Sequence, residues 1–298
     1  MILEPVRNFP LARLTTVRTG GSAAFFGRPR TGDELDELLG WAAGRGLPIG
    51  VIGSGSNLLV ADEGVAGLVL KLDGELAGIE PGETGIRCGG GARLPAVAAR
   101  AAAVGLGGIE FGVNIPGTVG GAVRMNANAY GGELGRILAW VEIHSAEGGR
   151  ERRGPGELGL TYRASNLRAG EIVGRAEFVL EPAESGAVRA VLADLRARRH
   201  AAQPKGIKTF GSTFKNPPGE TAGLLLARAG AGALQVGGAR FARKHANFVE
   251  NTGSATTADV VALMAEGRRL VAEEFGIELE AEVQTLGPVR FPWAVPDA

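Results

Sequence analysis

The segment Gly53-Ser54-Gly55-Ser56-Asn57-Leu58 follows directly on an apolar run, residues 47–52, which reads as a short buried strand. A strand that empties into a Gly/Ser turn lets backbone N–H groups converge on an anion, with hydroxyls as further donors. The spacing is G-x-G-x-x-Leu, so the dinucleotide fingerprint of a Rossmann fold fails at its third glycine. No helical pattern follows either. Taken alone, these six residues are either a phosphate loop outside a Rossmann fold or a plain tight turn.

Upstream of this segment, residues 31–44 carry a capping-box spacing, Thr31 and Glu34, ahead of an apolar stripe of Leu35, Leu38, Leu39 and Ala42. Residues 68–72 read as another strand, so the first 72 residues form a small α/β unit. Further on, 86–88 is a strand, and Pro95 suits the first turn of a helix running to about residue 104. Residues 105–132 are Gly-rich and read as irregular. Strands near 139–145 and 172–180 flank Leu160-Thr-Tyr-Arg-Ala-Ser165, and a helix over about 186–199 takes Ser185 as its N-cap. The polar loop 204–218 is a natural domain boundary. Beyond it come a helix near 220–229, strands within 233–251, a helix near 258–275 capped by Thr256 and Asp259, and a strand over 279–286. The pattern is α+β.

Composition bounds the function. The net charge is zero, which argues against a nucleic-acid surface. The one cysteine, Cys88, permits no intrachain disulfide and fits a reducing compartment. Glu4, Arg7 and Arg13 interrupt every apolar stretch at the N-terminus, and no run approaches the roughly 18 apolar residues that a membrane span needs. A cytoplasmic chain with no signal peptide, no membrane insertion and no nucleic-acid partner is expected. Glycine is the outlier at 49 residues, grouped in short runs between apolar segments. Such runs mark tight turns and close approaches of backbone to a ligand.

A second run, Asn114-Ile-Pro-Gly-Thr-Val-Gly-Gly-Ala122, reads either as a loop crossing the core or as a second cradle for the same diphosphate. Two such loops with no Walker lysine favour a dinucleotide over a nucleoside triphosphate. Arg163 in a Tyr-Arg-Ala-Ser turn is ordinarily a surface residue, yet it could polarise a carboxylate. Ser212 has no His/Asp pattern nearby to make it a triad nucleophile. Glu280 and Glu282 share one face of an alternating segment, where solvent exposure is the default. His144, His200 and His245 lack metal-ligand spacing, and no metal site is expected.

Seven segments in order, Arg18-Thr-Gly-Gly21, Gly53–Leu58, Ile115-Pro-Gly-Thr-Val-Gly-Gly-Ala122, Asn126-Ala-Asn-Ala-Tyr-Gly131, Tyr162-Arg-Ala-Ser165, Gly211-Ser-Thr-Phe-Lys-Asn-Pro217 and Leu279-Glu-Ala-Glu-Val283, resemble the UDP-N-acetylenolpyruvoylglucosamine reductase family. The resemblance runs from about Leu14 to Leu286. It implies an α+β chain with a vanillyl-alcohol-oxidase-type (PCMH-type) FAD-binding fold of two subdomains plus a C-terminal α+β substrate-binding domain. The expected division is 1–72, joined by 285–298, then 73–200, then 201–284. It implies NADPH-dependent reduction of UDP-N-acetylglucosamine enolpyruvate to UDP-N-acetylmuramate, in peptidoglycan precursor synthesis and hence in cell-wall biogenesis, cell shape and division. NADPH gives a hydride to the flavin, and the flavin gives one to C3 of the enolpyruvyl group.

Carried over residue by residue, the resemblance makes Arg163 and Glu282 the stabilisers of the enolate and Ser212 the proton donor to C2. Gly53, Ser54, Gly55, Ser56, Asn57, Leu58, Ile115, Gly117, Thr118, Gly120, Gly121 and Ala122 would hold FAD, with Arg199 reaching a cofactor phosphate. Lys215 and Asn216 would meet the UDP diphosphate. The first loop holds neither His nor Cys, so noncovalent FAD is expected; separately, a monomer is expected. No tyrosine follows Tyr162. The chain therefore looks like the shorter branch, without the inserted tyrosine that closes over the substrate. Against this stand a sugar or alcohol oxidase of the same fold, which has no need of the Tyr-Arg, Gly-Ser and Glu-Val segments, and a non-catalytic nucleotide-binding module.

Overall fold

The computed structural model describes residues 4–294. They divide into two compact units. The first comprises the segment ending at Arg7, Phe25–Ser54 and Gly67–Ala201. The second comprises Asn8–Ala24, Gly55–Ala66 and the chain from Ala202 onward.

The first unit is built on a five-stranded antiparallel sheet in the order Gly149–Arg153, Leu138–Ser145, Ile172–Val179, Gly85–Gly89, Ile79–Pro81. Ile172–Val179 is central, with five of its eight residues buried, whereas Gly149–Arg153 is an exposed edge. Three arginines and one glutamate, residues 150–153, blunt that edge against pairing with another chain. Four helices belong here: α1 Gly32–Ala43, α2 Leu94–Ala103, α3 Val119–Arg124 and α4 Ser185–Ala202. Leu94, Val97, Ala98 and Ala101 of α2 and Val119 and Val123 of α3 share one core with Ile86, Val141, Ala176 and Phe178 of the sheet. A smaller core joins Leu35, Leu38 and Leu39 of α1 to Leu68 and Leu70. There Ile49–Val51 pairs in parallel with Val65–Leu70, Ile49 opposite Leu68. Truncating a fully buried side chain such as Phe178 to alanine costs about 3–5 kcal/mol.

Most of the expected elements form within a few residues of their sequence bounds. Thr31 does cap α1, accepting the Glu34 N–H at 3.2 Å. Ser185 does not cap α4. Its hydroxyl donates to Ala102 O at 2.6 Å, and the Glu184 carboxylate takes the N–H groups of Gly186 and Ala187 instead. Those two donors hold the Glu184 carboxyl below its ordinary range. Within 105–132 the chain is less irregular than its glycines suggest, with a 3₁₀ turn at Glu110–Asn114 and then α3.

The second unit holds α5 Ala222–Arg228, α6 Thr257–Phe275 and a three-stranded antiparallel sheet, Gln235–Val236, Ala239–Ala242 and His245–Asn251. The capping box of α6 is formed as its sequence requires: Thr256 Oγ1 accepts from Asp259 N, and Asp259 Oδ2 accepts from Thr256 N, both at 3.0 Å. A distant residue completes the cap, because the N–H groups of Thr257 and Ala258 both reach the Asp62 carboxylate at 2.9 Å. Of the expected strand 279–286, only Gln284–Leu286 is a regular strand, paired in parallel with Leu58–Val60. Phe210, Phe214, Phe241, Leu226 and Met264 centre the core, which Val17 and Leu59 of the N-terminal segments complete. Among the described residues no helix is long and apolar enough to cross a membrane.

Candidate functional site

Gly53 has no room for a side chain, since a Cβ there would run into the Thr118 hydroxyl. The first glycine loop therefore lies directly against the N-cap residue of α3, in the second glycine run. Gly55 has φ +62°, and a Cβ on it would collide with Leu14 O. Its carbonyl accepts from both Thr16 N and Thr16 Oγ1 at 3.0 Å. Among the described residues, the N–H groups of Gly53, Ser54, Gly55, Ser56 and Asn57 donate to no protein acceptor. Consecutive unspent amides in a glycine-rich turn are what a diphosphate requires. Lys71 Nζ grips Gly53 O at 2.5 Å and brings a positive charge beside the loop. Burial, then the neighbouring Arg28, pushes its ammonium below the ordinary lysine range.

The second run divides its labour. Gly117 and Gly121 are not crowded: a Cβ built on them would meet Ile115 at 4.0 Å and Thr118 Oγ1 at 3.6 Å, ordinary van der Waals contacts. Gly120 instead serves packing: its N–H donates to Gly90 O at 2.8 Å, and a Cβ would stand 3.2 Å from that carbonyl. Thr118 and Ala122 are buried, and Ile115 ends the 3₁₀ turn. Arg199, on α4, is half-buried, and desolvation lowers its pKa while Tyr130 opposes the shift. Arg163, in the same unit, sits at φ +59°, and its guanidinium lies 5.6 Å from the Tyr162 ring.

Ser212, Lys215, Asn216 and Glu282 belong to the second unit, where the structure brings their backbones together. The chain around Ser212 runs beside the last strand of the three-stranded sheet, with Ser212 opposite Phe248. On its other side Phe214 is opposite Ala281, and Glu282 N donates to Thr213 O at 2.9 Å. Asn57 of the first loop joins them, its side-chain amide donating to Glu282 O at 3.2 Å. Glu282 is thus half-buried rather than solvent-exposed, while Glu280 on the same stretch is exposed. Lys215 Nζ is engaged by that Glu280 carboxylate at 2.5 Å. Asn216 is exposed, and its side-chain carbonyl accepts Ala222 N at 3.0 Å at the start of α5.

Sequence reasoning missed Asn247. Its side chain, 3% exposed, accepts from Phe214 N at 2.9 Å and donates to Phe214 O at 2.8 Å, clamping the Ser212 segment in place. Nothing local in Ala246-Asn-Phe248 signals this, because both partners lie 33 positions away. Cys88 is buried in the sheet core and its thiol is pushed up to about 12, chiefly by desolvation. It is inert packing.

Residues 23–152 match an FAD-binding domain family, and residues 203–286 match the family described as UDP-N-acetylenolpyruvoylglucosamine reductase, C-terminal domain. The chain is 44% identical over 288 residues to UDP-N-acetylenolpyruvoylglucosamine reductase 2 of Symbiobacterium thermophilum, covering 96% of this chain and 93% of that protein. It is 44% identical to the corresponding reductase of Anaeromyxobacter dehalogenans, over 97% of this chain and 87% of that one. A crystal structure of UDP-N-acetylenolpyruvylglucosamine reductase from Thermus caldophilus superposes with a TM-score of 0.83 at 37% identity, covering 94% of this chain and 98% of that one. With identity above 40% across nearly its whole length, the chain belongs to the UDP-N-acetylenolpyruvoylglucosamine reductase family.

Proposed function

We propose that the protein reduces UDP-N-acetylglucosamine enolpyruvate to UDP-N-acetylmuramate with NADPH, through noncovalently held FAD. The family and the FAD-binding domain make it an FAD-containing oxidoreductase of peptidoglycan precursor synthesis. The finer reading concerns its own residues. The unspent amides of Gly53–Asn57, with Ile115, Gly117, Thr118 and Gly121 of the second run, hold the cofactor diphosphate, and Arg199 meets a phosphate. No histidine or cysteine stands in either run to form a covalent link.

When bound, FAD supplies the hydride relay from NADPH to C3 of the enolpyruvyl group. The chain supplies everything else. Arg163 places a fixed positive charge on the substrate carboxylate, and Glu282, protonated, donates a hydrogen bond to it. Together they stabilise the enolate, which is often the largest catalytic contribution in such chemistry. Ser212 gives its hydroxyl proton to C2 and recovers one from water. Replenishment through Lys215 is disfavoured by its pairing with Glu280. Lys215 and Asn216 meet the nucleotide diphosphate. Residues 1–72 and 73–200 serve FAD, and 201–284 serve the sugar nucleotide.

One observation carries the reading: Glu282 N donates to Thr213 O, which supports Ser212 and Glu282 acting on the same substrate group. The test is NADPH oxidation by the purified, FAD-loaded protein. Consumption should rise only when the enolpyruvyl sugar nucleotide is present. Equal consumption with and without it would point to an oxidase or a diaphorase, and a protein that takes up no FAD would end the enzyme reading.

A further inference from the structure

Arg163 occupies the tip of a very tight turn. Thr161 and Ala164 exchange both backbone hydrogen bonds, Thr161 N to Ala164 O at 3.1 Å and Ala164 N to Thr161 O at 3.2 Å. Tyr162 and Arg163 alone close the loop, and Arg163 must adopt φ +59° to do so. Left-handed backbone is costly for an arginine. Something else must hold the turn.

Asn126 does so from one end. It is wholly buried and itself left-handed, at φ +38°. Its Nδ2 donates to Thr161 O at 3.1 Å and to Glu133 Oε1 at 2.6 Å, and its Oδ1 accepts from Gly135 N at 3.0 Å. Two acceptors face the amide nitrogen and one donor faces the oxygen, so only one orientation of the side chain satisfies all three. Gly135 leaves no slack, because a Cβ there would lie 3.0 Å from Asn126 Oδ1.

Arg124 holds the other end. Its guanidinium donates to the carbonyls of Leu167, Arg168 and Glu171 at 3.2, 3.1 and 3.3 Å. Its own carbonyl receives the Ser165 hydroxyl at 2.8 Å. Arg124 is the last residue of α3, and Thr118 at the start of α3 abuts Gly53. One short helix therefore ties the first glycine loop to the Arg163 turn.

We infer that Asn126 and Arg124 are positioning residues for Arg163, setting the guanidinium by fixing the turn beneath it. The inference rests on the proposed role of Arg163 and extends it to two residues whose side chains hydrogen-bond to other protein segments. A misplacement of about 1 Å at a reacting group lowers a rate by roughly 10²-fold.

The two half-reactions of the holoenzyme, followed by anaerobic stopped flow, separate the possibilities. Asn126→Asp keeps the size of the side chain but turns a second oxygen toward the Thr161 carbonyl and the Glu133 carboxylate. It should bind FAD and accept a hydride from NADPH at the wild-type rate, yet reoxidise on the enolpyruvyl substrate roughly 10²-fold more slowly. In an Arg163→Ala background it should add less than about twofold, because the two changes remove one interaction. Ser165→Ala, a milder change, should slow reoxidation by about threefold to tenfold, and it decides the matter if Asn126→Asp does not fold. Wild-type reoxidation in both Asn126→Asp and Ser165→Ala, or fully additive losses in the double variant, would overturn the inference. Arg163→Ala alone reads the underlying role: wild-type reoxidation in that variant would remove the catalytic arginine, and the positioning role with it.

Discussion

The backbone N–H of Glu282 donates to Thr213 O at 2.9 Å, joining two segments that the chain separates by α5, the whole three-stranded sheet and α6. Asn57, from the first glycine loop, adds its side-chain amide to the Glu282 carbonyl. Three of the seven motifs read along the sequence thus share one hydrogen-bonded junction.

Ser212→Ala should leave flavin reduction by NADPH nearly unchanged and slow reoxidation by the enolpyruvyl substrate by about 10²–10⁴-fold, the usual contribution of a positioned proton donor. Rapid-mixing absorbance of the flavin reads both steps. Equal losses in the two steps would make Ser212 a structural residue.

Gly53→Ala should weaken FAD binding. The new methyl meets the Thr118 hydroxyl and the loop must move to admit it, which costs about 1–3 kcal/mol. Flavin per chain after desalting, read from absorbance, should fall well below that of the wild type. Full retention of FAD would mean that the loop shifts without disturbing the cofactor.

Glu171 predicts a pH dependence of stability. The buried carboxylate lies between Arg153 and Arg168, at 2.7 Å from each. Chiefly the Arg153 hydrogen bond lowers its pKa from 4.5 to about 2. A depressed carboxylate stabilises the fold above its unfolded pKa, and that contribution is lost as pH falls from about 4.5 to about 2; here it amounts to about 3 kcal/mol. Glu171→Gln should be less stable at neutral pH and should lose less on acidification. Parallel melting-temperature profiles for the two proteins between pH 5 and 3, roughly the upper part of that window, would show that Glu171 does not act this way.

Thr256→Ala removes the side-chain acceptor of the α6 capping box and should cost about 1 kcal/mol, measured as a shift in the urea midpoint at constant slope. Thr256→Ser should recover most of it. The loss stays modest because Asp62 still holds the Thr257 and Ala258 N–H groups.

Local signals in the sequence were enough for α1, α2 and α6, because the capping residues of α1 and α6 and the first-turn proline of α2 are written within one element. They sufficed also for the central strands and for the glycine loops as places where backbone must come close to something, since the failed third glycine excluded a Rossmann turn from the spacing alone. The strands Val6–Pro10 and Ser22–Gly27 went unread for want of sustained alternation. The cap of α4 passed from Ser185 to Glu184 because Ala102, far along the chain, competes for the serine hydroxyl. Asn247 and Arg124 look like ordinary polar residues in sequence, and the segment Asn126–Gly131 gives no sign of what the Asn126 side chain holds. Their importance lies in backbone carbonyls and amides supplied by other segments, which a buried side chain must find to offset its desolvation. Sequence determines which residues can cap, turn or cradle. Only the tertiary structure decides which distant partner each one meets, because a hydrogen bond across 33 or more residues leaves no trace in the spacing of its neighbours.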